Sequence, residues 1–363
     1  MNSAEKYIFD MHMRNLNTKW EDFSREIVSL QTENTFSIIY ATDVHYIRKY
    51  ALNVAAYEKL KEMVDFSGFA GIDLLAITGD IVDGNTTIKR QYRDLYDVMG
   101  VIKQAKTTSV LLSKGNHDDC SWYSFQKGLD KTNWLSHRDW YTHVVNPIRV
   151  QYPMVLDDEN ITGGYYYIDY PLQKIRVINL NTSDTTEVLN DDGTLIKEYC
   201  GQWCLAISEK QLKWLAKALT FTDEGWSVLI MSHNFLIPTN GAEEVHNGNA
   251  AWELICAYKN NTKGKIVSTD KYYEAELEYD FTQNPSNDVL PYMFGHIHED
   301  FVTVSDGITA ISSQNLLKAD GTEWNNLDVN ITGGWDCVLI DKKERTFKSR
   351  RFGVPAANRN INF

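Results

Sequence analysis

The chain is poor in positive charge. Its 36 lysines and arginines are outnumbered by 49 aspartates and glutamates, leaving a formal net charge of −13. Such a surface repels polyanions at long range, so a duplex nucleic acid would need a local basic patch. The best candidate, 342-KKERTFKSRR-351, reads more simply as alternating solvated residues on a C-terminal strand. Cysteine is scarce too. The five residues (Cys120, Cys200, Cys204, Cys256 and Cys337) are odd in number and scattered. They do not make a disulfide framework, which favours a reducing compartment. Cys200 and Cys204 read as core or surface thiols rather than ligands. No run of eighteen apolar residues occurs, so nothing is expected to span a membrane. The opening residues, MNSAEKYIFDMHMRNLNTKW, lack a basic region followed by an apolar core, so no signal peptide is expected. Internal repeats and low-complexity segments are missing. The expectation is a cytoplasmic globular protein with no membrane contact, its oligomeric state open.

What is present is ordinary globular composition, 43% hydrophobic and 23% charged, in 363 residues that suit one large domain or two. Residues 1–34 are polar with spaced apolar positions and read as an N-terminal helical extension. Then 36-FSIIYATD-43 reads as a buried strand ending in aspartate, and 51-ALNVAAYEKLKEMVDF-66 has helical spacing. A second strand, 72-IDLLAITGD-80, ends in Gly-Asp; a helix follows from about Thr87 to Lys106; a third strand runs through 109-SVLLSKGNHDD-119. This β-α-β-α-β order places polar residues at the carboxyl end of every strand, the edge where open α/β sheets bind ligands. Later, 165–170 and 174–184 read as paired strands, 208–219 as a helix capped by Ser208, and 226-WSVLIMSHN-234 as a strand with a polar exit. Short strands follow from Tyr292 to Phe352. The pattern predicts an α/β (α+β) domain of two stacked sheets with helices outside. The main domain is expected over 35–340, with inserts near 119–160 and 239–288, followed by a C-terminal strand and tail over 341–363.

The polar strand exits form one set: Asp43-Val-His45, Gly79-Asp80, Gly115-Asn116-His117-Asp118, Ser232-His233 and Gly295-His296-Ile297-His298. Five of the nine histidines lie here. Any one of them alone reads as a satisfied structural histidine; all five exits together point to a metal site. Carboxylate oxygen and imidazole nitrogen suit Mn, Fe or Zn, and the lack of thiolate argues against a structural zinc knot. Glycine before a ligand lets the backbone turn sharply and approach closely. In an extended 296–298 segment both imidazoles would lie on one side, each able to face a different metal of a pair.

This ordered set resembles the calcineurin-like metallophosphoesterase superfamily, with its D-x-H, G-D-x-x-D, G-N-H-[DE], lone histidine and G-H-x-H blocks. The resemblance implies a four-layer fold, a central β-sandwich flanked by helices. It implies a first metal held by Asp43, His45 and His298, a second by Asn116, His233 and His296, and Asp80 bridging both. These would be two divalent or trivalent ions (Mn, Fe or Zn). His117 would lie beside the phosphate and assist the leaving oxygen. Asp118 would orient or polarise His117, and Asp83 would support His117 or a ligand; the plainer reading of both aspartates is a helix or turn cap. A hydroxide shared by two cations about 3.5–4 Å apart would attack phosphorus in line.

Departures within the superfamily narrow the branch. Protein Ser/Thr phosphatases carry an arginine after G-D-x-V-D, where this chain has 79-GDIVDGN-85. Purple acid phosphatases place a tyrosine where Asp83 sits. The nucleotidase branch adds a large C-terminal domain for which the residues after Phe301 do not suffice. G-N-H-D with G-H-x-H is closer to cyclic-nucleotide phosphodiesterases and related nucleases. The expectation is a phosphodiesterase acting on a small phosphoester or single-stranded nucleic acid, with duplex nucleic acid disfavoured. The alternatives are a phosphomonoesterase acting on a small metabolite or phosphoprotein, and a non-catalytic structural or binding module such as a phage virion component. The stretch 121–147, with three tryptophans, His137 and His143, reads either as a wall of the substrate site that stacks a base or sugar, or as a packed surface insertion. The stretch 239–265 reads as a second loop with a short helix, and His246 as a surface residue.

Overall fold

The computed structural model describes residues 19–49, 51–121, 123, 134–193, 196, 201–238, 244–316, 334–352 and 358–363. Parts of the expected extension (1–18) and inserts (122, 124–133, 239–243), together with Cys200, lie outside the described residues.

Two sheets face each other. Edge to edge, the first runs Arg359–Asn362, Thr346–Phe352, Trp335–Asp341, Thr35–Ala41, Leu74–Ile77 and Ser109–Leu112. Thr35–Ala41, Leu74–Ile77 and Ser109–Leu112 are parallel neighbours, joined by the helices Ala51–Ala70 and Ile88–Ile102. The second sheet orders Phe301–Ser305, Ile308–Ser312, Tyr292–Phe294, Ser227–Met231, Ile175–Asn179, Tyr166–Tyr170 and Val155–Leu156. Ser227–Met231 lies parallel to both of its neighbours.

Side-chain alternation decides what lies between the sheets. Leu229, Met231 and Met293 pack with Ile38, Leu74 and Leu111 in the inter-sheet core. Their neighbours Val228, Ile230, Tyr292 and Phe294 point the other way, against Leu212, Leu215, Trp252 and Ile255 of the helices Glu209–Ala218 and Gly248–Lys259. On the outer face of the first sheet, Ile88–Ile102 buries Leu95, Val98, Met99 and Ile102, spaced three and four apart. The result is helix, sheet, sheet, helix. Ser208 caps its helix as expected, its side chain accepting from the Gln211 N–H.

The basic stretch needs correction. Arg350 and Arg351 on the Thr346–Phe352 strand are buried, not solvated. Arg350 pairs with Glu26 (2.9 Å) of the helical residues 19–30. Arg351 reaches Asp300 and Asp336 at 2.7 and 2.9 Å. The cysteines Cys120, Cys204, Cys256 and Cys337 are free thiols. Among the described residues no helix is long and apolar enough to cross a membrane.

Candidate metal centre

Parallel strands in both sheets bring their carboxyl ends to one edge of the sandwich. The chain leaves Thr35–Ala41 into Asp43 and His45, Leu74–Ile77 into Asp80, and Ser109–Leu112 into Asn116 and His117. From the second sheet, Ser227–Met231 delivers His233, and Tyr292–Phe294 delivers His296 and His298. The turns out of these strands are unusual. Asp43 (φ 53°), His45 (47°), Asp80 (49°), His296 (69°) and His298 (59°) all sit in the left-handed region, which L-residues with a Cβ avoid. The 296–298 segment is therefore not extended, and the one-sided placement that an extended segment would give does not arise. The strand stops at Phe294, and the left-handed turns send the two imidazoles to different partners. Gly295 makes the turn possible, because a Cβ there would lie 1.8 Å from Thr42 Oγ1 and 2.8 Å from Asp43 Oδ2.

Two donor clusters result, sharing Asp80. In the first, Asp43, His45, Asp80 and His298 offer ligand atoms all within 4.8 Å of one another. His45 Nε2 stands 3.1 Å from His298 Nε2 and 3.5 Å from Asp80 Oδ2, and His298 Nε2 lies 3.3 Å from Asp43 Oδ1. In the second, Asp80, His233 and His296 gather in the same way. His233 Nε2 lies 3.3 Å from Asp80 Oδ2 and 3.2 Å from His296 Nδ1. Asn116 adds Oδ1 at 2.9 Å from His233 Nε2. All seven residues expected to bind metal thus meet at one place.

The donor set fits cations. His233 Nδ1–H donates to the Thr78 carbonyl (2.7 Å). That bond fixes the tautomer and leaves the Nε2 lone pair aimed at the carbonyl oxygen of Asn116. Lone pair then faces lone pair unless a proton or a metal ion stands between them. Asp43 Oδ1 is buried and accepts no hydrogen bond, whereas Oδ2 takes the His296 N–H (3.0 Å) and the Thr42 hydroxyl (2.6 Å). One oxygen is pinned, and the other is left for a ligand. Burial pushes His45 down to about 3 and His296 down to about 4, holding both in the neutral form that ligates. Burial also opposes charge on His233, but the Asp80 carboxylate outweighs it and lifts His233 to about 10. The buried Asp80 carboxylate therefore takes a proton onto His233 as its countercharge where no metal supplies one.

His117 stands at the edge of this group, its ring 4.7 Å from that of His45. Its backbone N–H donates to Asp80 Oδ1 (2.9 Å), and its Nδ1–H donates to the Asp83 carbonyl (2.7 Å). The group orienting His117 is thus the backbone of Asp83. The Asp83 carboxylate instead caps a turn at the Asn85 N–H (3.2 Å) and stands 4.0 Å from His45 Nδ1. The expectation for Asp118 needs correction. Its two oxygens accept the Gly115 N–H (2.7 Å) and the Val82 N–H (3.0 Å), so the carboxylate ties two strand exits together and is not committed to His117. Burial, reinforced by Asp80, pushes it up to about 8.

The sequence reading missed Gln202. Its Nε2–H donates to His117 Nε2 (3.0 Å), its carbonyl takes the Asn116 amide (3.3 Å), and its N–H meets Ser121 Oγ (2.6 Å). Only the order and spacing of the histidine blocks were legible; a glutamine inside a long interval carries no such signal. The described histidines and Trp140 earlier in that interval are engaged away from the donor clusters. His137 Nε2–H donates to the Thr185 carbonyl (2.7 Å), His143 lies against Tyr92, and Trp140 is buried. His246 pairs with Asp270 and stacks on Tyr273.

The family model described as calcineurin-like phosphoesterase matches residues 36–300, well over half of the chain. Among solved structures, a dimetal phosphatase from Danio rerio is similar over 90% of this chain and 98% of its own, with a TM-score of 0.58 and 15% identity. A purple acid phosphatase from yellow lupin (Lupinus luteus) seeds is similar over 92% of this chain and 54% of its own, with a TM-score of 0.46 and 13% identity. At 15% identity the likeness to the Danio rerio phosphatase is one of fold. No curated protein matches the sequence.

Proposed function

The chain belongs to the calcineurin-like phosphoesterase family, a metal-dependent phosphoesterase group, and we propose that it hydrolyses a phosphodiester at the centre described above. In this reading Asp43, His45 and His298 would hold one cation, Asn116, His233 and His296 would hold the other, and Asp80 would serve both. When bound, the pair supplies Lewis acidity toward the phosphoryl oxygens and a water of lowered pKa. The remaining work falls to the chain's own residues. The Asp83 carbonyl fixes the His117 ring through Nδ1, which leaves Nε2 facing the site. A water oxygen bonds to phosphorus as the P–O bond to the leaving group breaks, and the electron pair of the broken bond stays on the departing oxygen. Nε2 is the acceptor nitrogen of the ring in the structure, so His117 would act as the imidazolium, protonated on both nitrogens, and give its Nε2 proton to that oxygen.

The observation that carries the diester preference is Gly84. A monoester brings a second negative charge and gains most from a bidentate arginine clamp. The position after Asp83 cannot carry one here. Gly84 has φ +75°, and a Cβ on it would lie 2.2 Å from the His117 carbonyl oxygen. An arginine at 84 would displace the backbone that places His117. A singly charged diester needs no such clamp. Small phosphodiesters and single-stranded nucleic acid are the substrate classes of this reading, in a cytoplasmic setting consistent with the free thiols.

Initial rates of the Mn²⁺-loaded protein on bis(p-nitrophenyl) phosphate and p-nitrophenyl phosphate, with an EDTA-treated control, test the proposal. The expected result is metal-dependent turnover that favours the diester. Preference for the monoester would overturn the Gly84 argument and make the protein a phosphomonoesterase. A stable partner with no turnover on either ester would favour a binding module.

A further inference from the structure

Gln202 is 7% exposed, and its carboxamide is only half used. The Nε2 end donates to His117 Nε2, while Oε1 is buried and accepts nothing. Rotation by 180° about the amide would exchange the two ends without removing the deficit, because two N–H donors would then replace one idle acceptor. A buried carbonyl without a donor is unfavourable, and polar capacity left idle beside a reacting centre is where a ligand is expected to bind.

The position of the amide gives that ligand its chemistry. Resting on the phosphoesterase reading above, the oxygen that must approach His117 Nε2 during hydrolysis is the leaving oxygen. Gln202 Nε2 now stands 3.0 Å from that same ring nitrogen. The carboxamide thus occupies the place of the leaving oxygen, and the alcohol half of the substrate must arrive beside residue 202. The backbone there is firmly held. The Gln202 N–H is tied to Ser121, and its carbonyl to Asn116. A few residues on, Leu205–Ala206 pairs with Val245–His246, so the stretch just after residue 202 is braced by the later insert. Only the side chain is free to turn when substrate enters.

We infer that Gln202 is a specificity-determining residue of the leaving-group pocket: its carboxamide turns from His117 to hydrogen-bond a hydroxyl carried by the departing alcohol. The favoured leaving groups are then polyols, sugars and nucleosides rather than plain alkyl alcohols. His117 is released to face the leaving oxygen in the same movement.

Diglyceryl phosphate and di-n-propyl phosphate test this. Each is symmetric, so the leaving group is unambiguous, and the released alcohol can be measured directly. The wild-type protein should favour the diglyceryl ester in kcat/KM by at least about tenfold, the scale of one well-placed hydrogen bond. Gln202→Leu and the nearly isosteric Gln202→Met should lose that preference through the diglyceryl ester alone, leaving the dipropyl ester within about threefold. Calorimetric Mn²⁺ binding should be unchanged in both variants, because Asn116 rests on the backbone carbonyl of residue 202 and not on its side chain. An equal fall on both esters would overturn the inference, since Gln202 would then act only through His117. A glyceryl preference that survives in both variants, or is missing from the wild type, would also overturn it. Hydrolysis of neither ester by the wild-type protein would refute the phosphoesterase reading itself, and the inference with it.

Discussion

Replacing Arg351 by methionine should destabilise the fold and loosen the metal loop together. The guanidinium sits between two carboxylates and is almost fully buried. It makes two hydrogen bonds to Asp300 (2.7 Å each) and two to Asp336 (2.9 Å each). Removing one partner of a buried ion pair costs about 3–5 kcal/mol, because the charge left behind has no counterion. Arg359 lies 3.1 Å from Asp336 and 3.7 Å from Asp300. It compensates part of the loss and places the expectation near the lower end, about 3 kcal/mol. Asp300 follows His298 by two residues, so the same change should weaken Mn²⁺ binding. Urea unfolding of EDTA-treated wild type and Arg351→Met at pH 7 measures the first effect, and calorimetry the second. The pH dependence has a definite sign. Burial opposes the charge on Asp300, but Arg351 overcomes it and holds the carboxyl below its ordinary value. A depressed carboxylate adds stability above its unfolded pKa, about 3.9. That stability is lost as pH falls through the folded value. The gap between wild type and variant should therefore be full at pH 5 and narrow toward pH 3. A variant within about 1 kcal/mol of wild type at pH 7, as a well-packed apolar replacement can achieve, would refute the reasoning.

The fold was legible in the sequence wherever a buried strand ended abruptly in a polar residue. Thr35–Ala41, Leu74–Ile77 and Ser109–Leu112 are apolar runs buried on both faces, and each stops where the ligands begin. The candidate site was legible for the same reason: Asp43, Asp80, Asn116, His233 and His296 sit at strand exits that alternation and length define. What escaped depends on tertiary contact. The resemblance cast Asp118 as a partner for His117, yet the turn aims its carboxylate at the N–H groups of Gly115 and Val82. Arg350 and Arg351 looked solvated because alternation does not reveal that Glu26, Asp300 and Asp336 stand opposite them. The turned geometry of 296–298 escaped because a left-handed φ at His296 and His298 has no sequence signature in residues other than glycine. Gln202 meets His117 across 85 residues, and only the folded chain shows that meeting.

Asp118→Asn should lower stability by about 1–3 kcal/mol, since its amide NH₂ must face one of the two backbone N–H groups that the carboxylate now accepts. kcat at 20 °C should stay within about threefold of wild type, and a fall of a hundredfold or more would restore Asp118 as the orienter of His117. His233→Ala should weaken one of two Mn²⁺ binding events by about a hundredfold or more, while Asp80→Asn should weaken both; calorimetric isotherms that fail to separate the two variants would contradict a shared Asp80. Removing metal should soften the whole molecule. Five candidate ligands hold left-handed backbone, at about 1–2 kcal/mol each, and the Asp43 and Asp80 carboxylates are buried beside them. That burden is tolerable when cations hold the ligands in place. Two sites at a hundred times their dissociation constants return about 5 kcal/mol through mass action. Mn²⁺ should therefore raise the stability measured by urea unfolding by about that amount over the EDTA-treated chain. His233→Ala should keep roughly half of the gain, since the cluster of Asp43, His45, Asp80 and His298 remains whole. Equal urea midpoints with and without Mn²⁺ would mean that the strained turns are balanced by contacts within the chain itself, and that the two clusters are not built around metal.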